Sequence, residues 1–355
     1  MDASAVNFNV TTDDFDSILS YADQGAWQTP DPSSASYDPK TSQWLLGTFH
    51  STNVTGATVE FNFTGPAIYV FGAAGPAFGS YEVTIDGSSV TKSAYLPSDA
   101  ASPYMLYGAD NLSYADHTLR LRNLGKQGAD AGGGEFLFDF LRTTVQLGPA
   151  GATVKNQTLE ETDSAFKYKG VWGSNKSGNF SGGGSTYTNA DNASVSFSFH
   201  GSAIYMFGDK KNDHGLYTVV LDGGEPQVFN GISGCGGAFG MTCEQQQPTL
   251  AYFASNLDGG LHNLTLTNNA GVNQSYFDLD SVVLSVPSEY APRTLGDAAS
   301  SAGGNASSAS GSGSAPSASA TAGQNGAVSF SGAPLFNPLL CLIGGVLWLL
   351  RPSRL

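Results

Sequence analysis

The sequence predicts an all-β chain: two tandem jelly-roll β-sandwiches, then a disordered Ser/Gly/Ala stalk and a short hydrophobic C-terminal tail. Three observations predict it. One stretch occurs twice, since residues 61–87 and 197–223 align without a gap and share 13 of 27 positions. Within each copy apolar residues alternate with polar ones, the period of a strand buried on one face. The composition agrees: 45 Gly, 21 Phe and 15 Tyr with only 13% charged residues suit many turns between aromatic strands.

Taken in order, the first sandwich spans residues 9–148 and the second 152–287. Each opens on the same pattern, Asp13-Asp14-Phe15-Asp16-Ser17 before Tyr21 and Trp27, and Glu160-Glu161-Thr162-Asp163-Ser164 before Tyr168 and Trp172. A loop follows in each (residues 30–43 and 173–184), rich in small and polar residues and expected at the surface. Phe61, Phe63, Ala67, Tyr69 and Phe71 then alternate, as do Phe197, Phe199, Ala203, Tyr205 and Phe207, giving each strand an aromatic face. Asp86-Gly87 and Asp222-Gly223 mark hairpin turns that need positive φ. The closing strands repeat too, with His117 and His262 leading one pair and Phe138-Asp139 and Phe277-Asp278 lying in the other.

After residue 287 the chain changes. Residues 288–332 read as a flexible stalk, because the Ala/Ser/Gly/Thr run cannot bury enough apolar surface to fold. Residues 333–355 form the tail, whose unbroken apolar run from Leu339 is 12 residues, against about 20 for a bilayer span. A GPI-anchor signal with attachment near Asn325, Gly326 or Ala327 is the expectation, Gly323 being an alternative; a short span flanked by Arg351 and Arg354 is the competing reading. The opening residues 1–6 do not read as a signal peptide, so a leader lost from this sequence is expected. Eleven Asn-X-Ser/Thr sequons point to an extracellular setting: Asn9, Asn53, Asn62, Asn111, Asn156, Asn175, Asn179, Asn192, Asn263, Asn273 and Asn305. There a disulfide between Cys235 and Cys243 is expected to close a Gly-rich loop.

A net charge of −15 argues against nucleic acid as a partner, since no basic face is available for phosphate. No nucleophile elbow, phosphate loop or His-Glu-X-X-His motif is present. The repeated histidines, His117 and His262, read as structural. Asp16, Asp139, Asp163 and Asp278 recur on the first and last strands, where they would hold a neighbouring loop or a structural Ca²⁺; no other cofactor is expected. The ligand candidates are aromatic, because a flat ring can stack on the apolar face of a sugar: Tyr37, Trp44 and Tyr187 in or beside the loops, and Trp27 and Trp172 if they are not core.

The whole motif order, acid-Asp-Ser…Tyr…Trp, Phe-X-Phe-X-Gly-X-Ala-Ile-Tyr-X-Phe-Gly, Gly-X-Tyr-X-Val, Asp-Gly, His-X-Leu-X-Leu-X-Asn and Phe-Asp, resembles the tandem galactose-binding-like jelly-roll domains of fungal, mostly basidiomycete, cell-surface proteins, over residues 9–287. The resemblance implies a non-catalytic protein that binds carbohydrate or cell-wall polysaccharide at the outer face of the plasma membrane, tethered there by its tail. On this reading the chain is not an enzyme. A structural or adhesive wall protein is one alternative, and a glycoside-active enzyme using Asp139, Asp278 or Asp280 is another.

Overall fold

The computed structural model describes residues 2–30, 41–128, 130, 132–233 and 248–296, and these are built almost wholly of strands. Tyr37, Cys235, Cys243, Asn305, Asn325, most of the expected stalk and the whole tail lie outside the described residues. No helix among the described residues is long and apolar enough to cross a membrane.

All strand pairs are antiparallel, and each repeat folds into two five- or six-stranded sheets facing each other across an apolar core. In the first repeat one sheet runs Ala5–Asp13, Phe136–Pro149, Ala67–Gly72, Tyr104–Ala109, with His50–Thr52 also pairing on Phe136–Pro149. The facing sheet runs Ser20–Tyr21, Thr58–Thr64, Asp116–Gly125, Ser80–Ile85, Ser88–Ser93. The second repeat builds the same plan around Phe277–Pro287 and His262–Asn268. The all-β sandwich expectation therefore holds.

The repeated residues are repeated because each performs one local task. Asp86 and Gly87 have φ of 51° and 81°, and Asp222 and Gly223 of 52° and 68°, so both hairpins turn through left-handed backbone. Each Asp is then held by the repeated histidine: His117 Nδ1 lies 2.6 Å from Asp86 and His262 Nδ1 2.7 Å from Asp222. The Tyr21 hydroxyl donates to the Asp14 carbonyl and the Tyr168 hydroxyl to that of Glu161, both at 2.7 Å, which ties the opening turn of each sandwich to its first strand. Tyr81 and Tyr217 reach across the core to the carbonyls of Leu106 and Ala251. Asn123 and Asn268, fully buried, donate to loop carbonyls that no strand partner reaches, including those of Gly134 and Ser275.

The strand Phe136–Pro149 is buried on both faces. One face supplies Phe136, Phe138 and Leu141 to the first core. Farther along the strand, Val145 and Leu147 pack with Val10 and with Ala203 of the second sandwich. The backbones approach so closely that a Cβ at Gly72 would lie 2.0 Å from the Leu137 carbonyl oxygen, and one at Gly208 2.2 Å from that of Asp278. Gly72→Ala must therefore displace the closing strand, and is expected to lower stability by about 1–3 kcal/mol in urea denaturation. An unchanged midpoint would show that the strand can move freely.

Candidate functional site

Three clusters of chemistry-bearing side chains stand out. The first is a network of ionisable groups where the two sandwiches meet. The strand Ala5–Asp13 ends in a turn that points Asp13, Asp14 and Asp16 inward, and the bulge at Asp139 in Phe136–Pro149 places that carboxylate beside them. The Asp14 amide donates to the Asp139 carbonyl at 2.8 Å, and the Leu45 amide to Asp139 Oδ1 at 3.0 Å. Thr48 Oγ1 donates to Asp14 Oδ1 at 2.9 Å, while His50 Nδ1 lies 2.6 Å from Asp14 Oδ2. The second sandwich contributes the Leu250 amide, which donates to Asp16 Oδ1 at 2.7 Å, and Lys210, whose Nζ stands 5.2 Å above the Phe15 ring.

Burial governs the charges here. It raises Asp13 and Asp14 well above the usual carboxylate range, with neighbouring carboxylates adding to the effect on Asp13. It pushes Asp16 up to about 7, Asp139 up to about 8 and Lys210 down to about 8. Burial, then the nearby Lys210, holds His50 well below its ordinary value, although its Nδ1 touches Asp14. The network lies closed to solvent and locks the sandwiches together.

The second cluster belongs to the second sandwich. Asp209 follows the strand Ala203–Gly208, His214 sits in the next loop, and Asp278 lies on Phe277–Pro287; one donor atom of each lies within 4.8 Å of the others. Burial raises Asp278 to about 6, partly offset by His214. The nearby rings of Tyr276 and Tyr187 have centroids 6.0 Å apart. Asp13, Asp14 and Asp139 have the same mutual proximity, so these are the two groups of the described residues able to converge on an ion. Asp163 does not join Asp278; it accepts the Ala165 amide in its own turn.

The third is an open polar groove of about 520 Å³ beside the first sandwich, lined by Asp110, Asn111, Tyr114 and Gln146 with apolar Pro66 and Leu112. Its far wall is Arg293, which follows the second sandwich in the chain. Arg293 is fixed by paired hydrogen bonds with Asn256 and by its guanidinium on Asp2.

Of the aromatic candidates, Trp27 is 6% exposed and packs in the first core against Tyr21 and Phe136. Trp172 leans on the second core with its ring tilted against that of Tyr168. Trp44 is half-buried against Phe49, next to the residue that holds Asp139. Tyr187 pairs directly opposite Asp278 and so adjoins the second cluster. Asp280, buried, accepts the Ser181 amide, and burial raises it to about 7. Among the ten described sequon asparagines only Asn175 is not exposed, and its amide donates to Asp278 at 3.3 Å. Sequence reasoning missed Asp14, His50, Asp209, Lys210, His214 and the groove. Setting the repeats side by side would have flagged three of them, since Asp209, Lys210 and His214 replace Ala73, Ala74 and Phe78.

No family model matches the chain. The chain is similar to two curated enzymes of Flavonifractor plautii. One is an A type blood alpha-D-galactosamine galactosaminidase, 27% identical over 190 residues, which is 53% of this chain and 17% of that enzyme. The other is an A type blood N-acetyl-alpha-D-galactosamine deacetylase, 37% identical over 113 residues, 32% of this chain and 13% of the enzyme. The chain thus spans less than a fifth of the length of the curated relatives it matches. Among solved structures it is similar to a family 35 carbohydrate binding module from Clostridium thermocellum, at 15% identity and a TM-score of 0.27, over 36% of this chain and 98% of that one; a score so small carries no argument. The expectation that the chain is not an enzyme is corrected by the two curated relatives, both of which are enzymes by name.

The buried network fixes the sign of a pH effect. Asp139 keeps its proton in the folded chain up to about pH 8 but loses it near pH 4 once unfolded. The stability it contributes is therefore present at low pH and falls as pH rises between these limits. Asp139→Asn, with chelator present, is expected to flatten the decline by up to about 1.4 kcal/mol per pH unit. Urea titrations at pH 5, 6.5 and 8 check this, and identical slopes for both proteins would refute it.

Proposed function

We propose that this chain is a carbohydrate-active enzyme, or the glycan-engaging part of one, directed at glycans bearing galactosamine or its N-acetyl form. The observation that carries the reading is the sequence it shares with a galactosaminidase and a deacetylase named for those sugars. The groove beside the first sandwich is the glycan site in this proposal. Asp110, Asn111 and Arg293 offer acceptors and donors for sugar hydroxyls, while Tyr114, Leu112 and Pro66 offer an apolar wall for the ring face. Asp110 offers the groove a carboxylate that suits a free amino group on galactosamine.

The same proposal sets the chain outside the cell, at the surface or wall and tethered through its tail. The nine exposed sequon asparagines on the sandwiches support that setting. Asn111 is one of them, and a glycan there would crowd the groove mouth, so the test uses enzymatically deglycosylated protein.

The full chain, offered α-linked galactosamine and N-acetylgalactosamine oligosaccharides, is expected to bind them in calorimetry and to release sugar or acetate. Asp110→Asn and Arg293→Met are expected to weaken binding about 10–100-fold, the loss expected for charged hydrogen bonds. Neither binding nor product from either sugar would remove the reading.

A further inference from the structure

We propose that Asp209, His214 and Asp278 of the second sandwich bind a divalent transition-metal ion of the Zn²⁺ type. The three side chains are 5%, 3% and 2% exposed, and their donor atoms converge to within 4.8 Å of one another. His214 Nδ1 lies 2.9 Å from Asp213 Oδ1, so its proton is held on the outer side of the ring. That leaves Nε2 as an acceptor facing inward, and it has no hydrogen-bond partner. Asp278 uses Oδ2 to accept from Asn175, at 3.3 Å, while its buried Oδ1 has no hydrogen-bond partner either. Asp209 Oδ1 takes the Lys210 amide at 2.9 Å, and its Oδ2 lies 2.8 Å from Lys211 Nζ.

Two buried acceptors without a donor, His214 Nε2 and Asp278 Oδ1, are costly, so the cluster calls for a partner between them. A cation seated among the three side chains would satisfy the unpaired His214 nitrogen and Asp278 oxygen together and take the place of Lys211 on Asp209. One imidazole nitrogen with two carboxylates excludes a Ca²⁺ or Mg²⁺ preference, since those ions favour all-oxygen shells. It suits Zn²⁺ or a neighbouring transition ion instead. The Asp213–His214 contact is the carboxylate–histidine arrangement that orients an imidazole toward a metal.

The duplication supplies an independent argument. Asp278 has its counterpart in Asp139, but Asp209 and His214 stand where the first repeat has Ala73 and Phe78. Two apolar positions of a shared frame thus carry ligand-type side chains in this repeat alone. Both are placed by backbone that leaves them little freedom: the Tyr276 amide donates to Asp213 at 2.9 Å, and a Cβ at Gly208 would meet the Asp278 carbonyl. Lys211, a quarter exposed, can swing its ammonium outward as the ion enters. The proposal stands apart from the glycan reading, because the groove and this cluster share no residue.

The test is metal analysis on the full chain, dialysed against chelator, reloaded with Zn²⁺ and desalted. One Zn²⁺ is expected to depend on this cluster: lost in His214→Ala and Asp278→Asn, but kept in Asp139→Asn. Asp213→Ala is expected to bind it about 10–100-fold more weakly, and Lys211→Gln more tightly. Should a variant fail to fold, the intact protein answers through its histidine ¹⁵N spectrum, in which the His214 Nε2 resonance must shift on adding Zn²⁺. Absence of bound Zn²⁺ in the wild type, Zn²⁺ retained by folded His214→Ala, or a His214 resonance indifferent to the ion would each overturn the proposal.

Discussion

The closing strand of each repeat is buried along nearly its whole length. Phe136–Pro149 and Phe277–Pro287 each lie inside a sheet, so their buried polar groups must find partners within the protein. Their backbones meet this through neighbouring strands. Their side chains meet it less simply, because Asp139, Asp278 and Asp280 are all buried along them. The bulges help, since a register shift falls at Asp139 in one strand and at Asp280 in the other, turning a carboxylate out of the ladder. What gathers around these acids follows from their burial: the Leu45 amide on Asp139, the Ser181 amide on Asp280 and the Asn175 side chain on Asp278.

The same constraint explains why the sequence disclosed some features and hid others. Residues that act within one repeat left a doubled trace, as with Tyr21 and Tyr168, Asn123 and Asn268, or the His117–Asp86 and His262–Asp222 pairs. Their partners are fixed by local topology, so periodicity and turn chemistry suffice to place them. Lys210 carries no such trace. Its role depends on the second sandwich meeting the turn after the first strand of the other, a juxtaposition that alternation within a strand cannot express. Trp27 shows the opposite error of emphasis: tryptophans near loops suggest sugar platforms, yet this ring fills the first core beside His50. The groove was invisible for a further reason, because Arg293 lies far in sequence from the Asp110, Asn111 and Tyr114 it faces.

The repeats have thus kept a frame and diverged in what they mount on it. In the first, the opening acids face Lys210 across the seam. In the second, the closing-strand acid faces a histidine and a second aspartate. A shared backbone supporting unlike clusters is how folds ordinarily acquire separate tasks.

The segment after Pro287 acts as a clasp. It leaves the second sandwich, is gripped by Asn256 on either side of Arg293, and rests its Gly296 amide on the Tyr114 carbonyl of the first. A protease nicking this short exposed ribbon would leave both cores untouched, yet would release one bank of the groove. Whatever the groove holds is therefore answerable to a stretch of chain outside both sandwiches.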